Sequence, residues 1–177
     1  MRQTERLRYG SGRGYRAVEL PYRASTLSLL VVLPSGGSVG ALARRLGGGE
    51  LARIARRLSP RRVELSLPRF HLATRVALAA TLKSLGMPLA FSDAADFSRV
   101  ATAGSLKIDR VEHVADLVVD EEGTVAAAAT GVTAVPKSPR RPPRDLVTFN
   151  ANRPFLFFVR DRSTGAVLFA GRLTDPE

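Results

Sequence analysis

Hydrophobic positions along this chain come in short blocks bounded by proline and glycine, and the spacing inside each block separates strands from helices. Residues 15–22 (YRAVELPY) and 26–33 (TLSLLVVL) are leucine-rich and β-branched, and Pro21 and Pro34 punctuate them. They predict two strands joined by the turn Arg23-Ala24-Ser25, a hairpin with at least one buried face. Ser35-Gly36-Gly37 breaks the pattern, and Ser38 is then placed to cap a short helix over residues 39–46. Gly47-Gly48-Gly49 predicts its end. A second helix is predicted over residues 50–58, where Leu51, Ile54, Ala55 and Leu58 fall at i, i+3, i+4 and i+7 and arginines take the other face.

Residues 62–70 (RVELSLPRF) alternate with period two, setting Val63, Leu65 and Leu67 against Glu64 and Ser66, which predicts a strand ending near Pro68. Residues 75–85 are apolar at Leu78, Ala79, Leu82 and Leu85, which predicts a helix with Gly86 as its stop. Residues 106–119 form a long extended stretch. Residues 135–144 (VPKSPRRPPR) are proline- and arginine-rich, and predict an exposed segment without regular structure. Residues 146–149, 155–160 and 166–173 predict three strands, with Asp161-Arg162-Ser163-Thr164-Gly165 as the turn between the last two. The fold class is α+β, with strands outweighing helices and no internal repeat.

Composition narrows the chemistry. There is no cysteine, which removes disulfides, thiolate nucleophiles and zinc–thiolate sites. His71 and His113, far apart in sequence, are the only imidazoles. No apolar run approaches the roughly 18–20 residues that span a bilayer, and Arg2-Gln3-Thr4-Glu5 after Met1 gives no signal-peptide core. The net charge of +11 comes from 24 arginines and 3 lysines against 16 acidic residues. Such a charge favours polyanions through counterion release. The arginines are spread through nearly every segment, which fits solvated faces better than one nucleic-acid or glycan site.

The segment Glu121-Glu122-Gly123-Thr124-Val125-Ala126-Ala127-Ala128-Ala129-Thr130 is the most unusual in the chain. By itself it fits a short helix or a connector, although a run this short is marginal as a helix. It also fits a strand able to enter a sheet. Such a strand must lack proline and carry no charge on the face it buries, and period-two counting puts Thr124, Ala126, Ala128 and Thr130 together. Gly123 before them can absorb a large backbone rotation.

This segment resembles the hinge of the serpin reactive loop. Residues 149–159 (FNANRPFLFFV) resemble the family's C-terminal signature, matching in the core Asn152, Arg153, Pro154 and Phe155. Glu19-Leu20-Pro21-Tyr22, residues 29–34, 63–70 and 82–87, Ala95-Asp96-Phe97-Ser98 and Gly171-Arg172 follow in family order. The resemblance covers nearly all of residues 1–177 and implies a partial serpin domain. That domain would contain strands of the family's sheets A, B and C and about three short helices, with a reactive loop near residues 121–145 and C-terminal strands over 146–173. It implies a suicide substrate of serine proteases with no catalytic residues, no cofactor and no metal. The register from Gly123 places the bait bond at Lys137–Ser138, where a lysine suits a trypsin-like partner. Arg140–Arg141 and Arg144–Asp145 are competing bonds, while the proline in Arg141–Pro142 hinders cleavage. The resemblance also implies extracellular action.

The same resemblance implies that about half of a family domain is absent. Met1-Arg2-Gln3 resembles an internal segment, and the missing part would supply the second wall of the insertion slot. Val125 stands where the hinge usually carries a charge, and Val114 where lysine is common. The alternative function is a truncated non-inhibitory serpin remnant or a basic polyanion binder.

Other motifs carry less. Gly10-Ser11-Gly12-Arg13-Gly14 lacks the strand–helix context of a phosphate loop and reads as a glycine turn. Asp93 and Asp96 lack further metal ligands and lie in a loop, where they read as caps or solvated charges. Ser138 has no paired base or nucleophile-elbow pattern.

Overall fold

A computed structural model describes residues 1–100, 106–120 and 145–176. Its elements in chain order are β1 (Arg2–Gly12), β2 (Tyr15–Pro21), β3 (Leu27–Pro34), α1 (Val39–Arg45), α2 (Gly48–Arg57), β4 (Ser59–Ser66), β5 (Phe70–Ala77), α3 (Ala79–Ser84), a 3-10 turn (Leu89–Phe91), β6 (Glu112–Val119), β7 (Leu146–Asn150), β8 (Phe155–Asp161) and β9 (Val167–Leu173). The chain divides into two compact units, Met1–Phe70 with Val119–Glu177, and His71–Val118.

The first unit is built on a seven-stranded sheet in the order β7-β4-β1-β2-β3-β8-β9. All its ladders are antiparallel except β4 with β7. Strand β1 was not visible in the hydrophobic pattern. It carries charge at Arg2, Glu5, Arg6 and Arg8 and buries only Leu7 fully. It is held instead by backbone pairing on both sides, with β4 along residues 2–9 and with β2 along residues 8–12. Gly10 and Gly12 belong to this strand, and only Gly14, at φ 81°, needs the left-handed conformation of the turn that follows.

Chain connectivity forces this sheet to curl. Strands β7 and β8 are five spacings apart in the order, about 24 Å in a flat sheet. The five steps from Asn150 to Phe155 reach at most about 18 Å. The staggered pairing of β1, one part to each neighbour, lets the two ends approach.

One face of β2, β3 and β8 packs under the two helices. Tyr15, Ala17, Leu30, Val32 and Leu156 meet Val39 and Leu42 of α1 and Leu51, Ile54, Ala55 and Leu58 from α2 and its end. The predicted cap is present, with Ser38 Oγ accepting from Ala41 N–H at 3.1 Å. Helix α2 begins two residues earlier than the periodicity indicated, because Gly47 takes the N-cap position and its carbonyl accepts from Glu50 and Leu51. On the opposite face, Leu29, Val31, Leu33, Phe155 and Phe157 are also buried, with the Phe70 ring 6.0 Å from Phe155 and 5.3 Å from Phe157.

Gly171 lies directly across from Phe157, whose ring occupies the space a Cβ would need. We expect Gly171→Ala to destabilise the chain by about 1–3 kcal/mol through overpacking, measurable as a lower urea midpoint at unchanged m-value. At the β8–β9 turn, Asp161 Oδ1 accepts from Ser163 Oγ–H at 2.6 Å and Ser163 N–H at 2.7 Å. These bonds hold its carboxyl below the usual carboxylate range.

The second unit holds the two-stranded sheet β5–β6. His71 meets Asp116 and Arg75 meets Glu112, so partner numbers fall as β5 advances and the pair is antiparallel. The helix expected over residues 75–85 is shorter than predicted. Residues 75–77 complete β5, and Leu78 still donates its N–H to Val111 O at 2.8 Å. The apolar spacing after Leu78 is helical, but the ladder claims the residues before it. Gly86, at φ 99°, ends α3 as predicted, with Met87 N–H reaching back to Leu82 O. The strand expected over 62–70 instead runs Ser59–Ser66, and regular pairing in the stretch 106–119 is confined to Glu112–Val119.

Candidate functional site

The residues predicted to form the hinge, Glu121, Glu122, Gly123, Thr124, Ala126, Ala127, Ala128, Ala129 and Thr130, and the predicted bait bond Lys137–Ser138, lie outside the described residues. The described chain shows the strands on either side of them. Before them, β6 ends at Val119. After them, β7 opens at Leu146, which pairs with Arg62 in the parallel ladder to β4.

Strand β6 has β5 on one edge, and its other edge carries no strand among the described residues. Val114 and Val118, at positions that share one face, are exposed, as are Leu85, Leu89 and Val100 of the same unit. An open ladder edge on a strand that carries exposed apolar side chains can accept another strand.

The signature core has a structural position. Ala151 N–H donates to Ser66 O at 2.8 Å, extending the contact of β7 with β4. Asn152 and Arg153 are exposed, Pro154 is half-buried, and Phe155 opens β8 fully buried. These four residues make the short connection that the curled sheet requires.

The strongest polar constellation in the sheet centres on Glu19, a residue whose role the sequence pattern did not single out. Its side chain is 1% exposed. It accepts from Arg8 Nη1 at 2.7 Å, Arg160 Nη1 at 3.0 Å and Ser28 Oγ at 2.9 Å. Arg8 also donates to Ala55 O at 2.9 Å and Leu58 O at 3.2 Å, at the C-terminal end of α2. The network joins β1, β2, β3, β8 and α2. Its one sequence signal is a lone glutamate on the face that Tyr15 and Ala17 also bury.

The remaining candidates fall apart as a site. Lys107 Nζ donates to Asp93 at 2.6 Å, and Ser98 N–H donates to Asp96 at 3.0 Å. The Ser98 backbone bond, aided by its hydroxyl, holds the Asp96 carboxyl below its ordinary range. His71 bonds Asp116 at 2.8 Å on an exposed strand, and His113 is exposed. Among the described residues no three His, Cys, Asp or Glu side chains gather as a metal site, and no helix is long and apolar enough to cross a membrane.

With flanking strands, open edge and signature in place, the comparisons with known proteins fix the class. The serpin (serine protease inhibitor) family model matches residues 1–176, and this chain belongs to that family. An uncharacterized serpin-like protein of Thermococcus kodakarensis is 34% identical over 177 residues, covering 100% of this chain and 41% of the relative. The solved thyroxine-binding globulin complex with thyroxine superposes with a TM-score of 0.81 at 27% identity, over 99% of this chain and 46% of that one. Native protease nexin-1 with heparin gives 0.80 at 28% identity, over 99% and 46%. The chain thus spans less than half the length of these relatives, which agrees with the half-domain expectation.

Proposed function

We propose that this chain is the bait-bearing part of a serine protease inhibitor that works as a suicide substrate, with Lys137–Ser138 as the bond attacked by a trypsin-like enzyme. The observation that carries the reading is the open edge of β6, which ends at Val119 immediately upstream of the uncharged tract. A protease serine attacks the Lys137 carbonyl and forms an acyl-enzyme, releasing the Ser138 amine. The freed tract from Thr124 to Thr130 then adds to the sheet as a strand. Main-chain hydrogen bonds drive the addition, and its small uncharged face fits the slot. Insertion carries the tethered enzyme away before water can release it.

A trypsin digest followed by mass analysis tests the bait. The first cut is expected after Lys137, and a first cut after Arg140, Arg144 or any residue outside the loop contradicts the assignment. The 177-residue chain alone is expected to be cut as a substrate without trapping, because β6 offers a single wall among the described residues. An SDS-stable complex between this chain and trypsin would overturn that expectation.

A second reading, a non-inhibitory polyanion binder, draws on the +11 charge and the likeness to protease nexin-1 with heparin. Salt-sensitive retention on heparin, in a complete protein that traps no protease, would favour it.

A further inference from the structure

On the first unit, beside the foot of the bait segment, Arg6 and Arg62 are register partners across the β1–β4 ladder. Like charges placed directly opposite each other destabilise a sheet. Both are exposed, and neither has an ion-pair partner among the described residues; Arg61, which precedes Arg62 in β4 and pairs with Leu7, belongs to the other face of the strand. Arg6 and Arg62 line a cleft of about 530 Å³ with Thr4, Glu5, Pro60 and Asp145. Arg2 lies on the same strand face as Arg6, at an even-numbered position of β1. The nearest further carboxylate on β4, Glu64, is engaged by Thr148 Oγ1 at 3.2 Å.

The position of this cleft gives the facing arginines a use. Asp145 is the first described residue after the bait segment, and the next residue, Leu146, pairs with Arg62. The seven steps from Ser138 to Asp145 reach at most about 25 Å. A protease domain of roughly 220 residues has a radius of gyration near 17 Å, which as a uniform sphere is about 44 Å across, so an enzyme holding Lys137–Ser138 is wide enough to meet this cleft. The sequence between the bond and the cleft adds Arg140, Arg141 and Arg144, all of one sign.

We infer that Arg6 and Arg62 form a docking patch for an acidic surface of the target protease, next to the side of its active site that binds residues after the cut. This deepens the bait reading and rests on it. Partner chemistry is set by two features of the cleft. Unpaired arginines call for carboxylates, and Glu5 and Asp145 in the same lining oppose an unbranched polyanion. A folded partner with a mixed surface can meet both signs. Long-range attraction of this kind acts mainly on the association rate and is screened by salt.

The test uses the 177-residue chain with anionic and cationic trypsin, which share lysine and arginine preference and differ in surface charge. The initial rate of the Lys137 cut is followed at ~0.02 M and ~0.5 M salt. Variants are Arg6→Glu and Arg62→Glu, each of which places opposite charges across the ladder, so that folding is favoured rather than threatened. Arg23→Glu, in the β2–β3 turn, is the charge-matched control. At low salt, anionic trypsin is expected to cut the wild type faster than cationic trypsin does. Each patch variant is expected to lose roughly fivefold or more of the anionic-trypsin rate, with the loss vanishing at high salt and Arg23→Glu close to wild type. Equal rates for the patch variants and wild type overturn the patch, as does an equal loss in Arg23→Glu. Weaker heparin retention in the patch variants with unchanged cutting also overturns it, in favour of a glycan partner. Failure of both enzymes to cut after Lys137 in the wild type instead overturns the bait assignment itself.

Discussion

Replacing Glu19 with glutamine is expected to destabilise the fold by about 3–5 kcal/mol. Glutamine keeps the shape and removes the charge, so the loss reports on electrostatics rather than packing. The carboxylate is 1% exposed, and Arg160, at 11%, has almost no water to turn to once its partner is neutral. Arg8, at 39%, is better solvated, and its share of the pairing is smaller. Its bonds to Ala55 O and Leu58 O nevertheless fasten α2 to β1, so a strained Glu19 centre also loosens the helix. Urea unfolding followed by circular dichroism measures the effect. A shift below about 1 kcal/mol would mean that the network contributes little beyond filling space.

Introducing a charge at Ala128 is expected to separate cutting from trapping in the complete protein. Ala128 shares a face with Thr124, Ala126 and Thr130 in any extended conformation, and that face must be buried if the tract becomes a strand inside a sheet. A glutamate there adds no trypsin site, leaves the Lys137 bond untouched and penalises insertion by several kcal/mol. The cleavage rate should stay within about twofold of wild type, while the yield of SDS-stable protease complex falls at least about tenfold. Val125→Glu, on the opposite face, should retain most of the trapping. Equal trapping by the Ala128 variant would contradict insertion of this face.

The sequence made the local architecture legible wherever one hydrophobic face dominated. The β2–β3 hairpin, the Ser38 cap, the Gly86 stop and the three C-terminal strands are found within a residue or two of their predicted places. It failed where tertiary pairing outweighed pattern. The polar strand β1 is stabilised by ladders on both sides rather than by apolar alternation, and β5 claims residues 75–77 that share an apolar spacing with α3. Glu19 was hidden for a related reason: its partners Arg8 and Arg160 are 11 and 141 residues away, and no local spacing reports such a meeting. The signature at Asn152-Arg153-Pro154-Phe155 was visible as a motif, but its role as the bridge of a curled sheet depends on the strand order.

The most direct test of the whole account is to cut the complete protein at Lys137 with a trace of trypsin, remove the enzyme, and compare unfolding temperature and amide exchange before and after. The account predicts a higher unfolding temperature and new protection along Glu112–Val119, the strand whose open edge would gain a partner. An unchanged or lower unfolding temperature, with exchange along β6 unaltered, would contradict it.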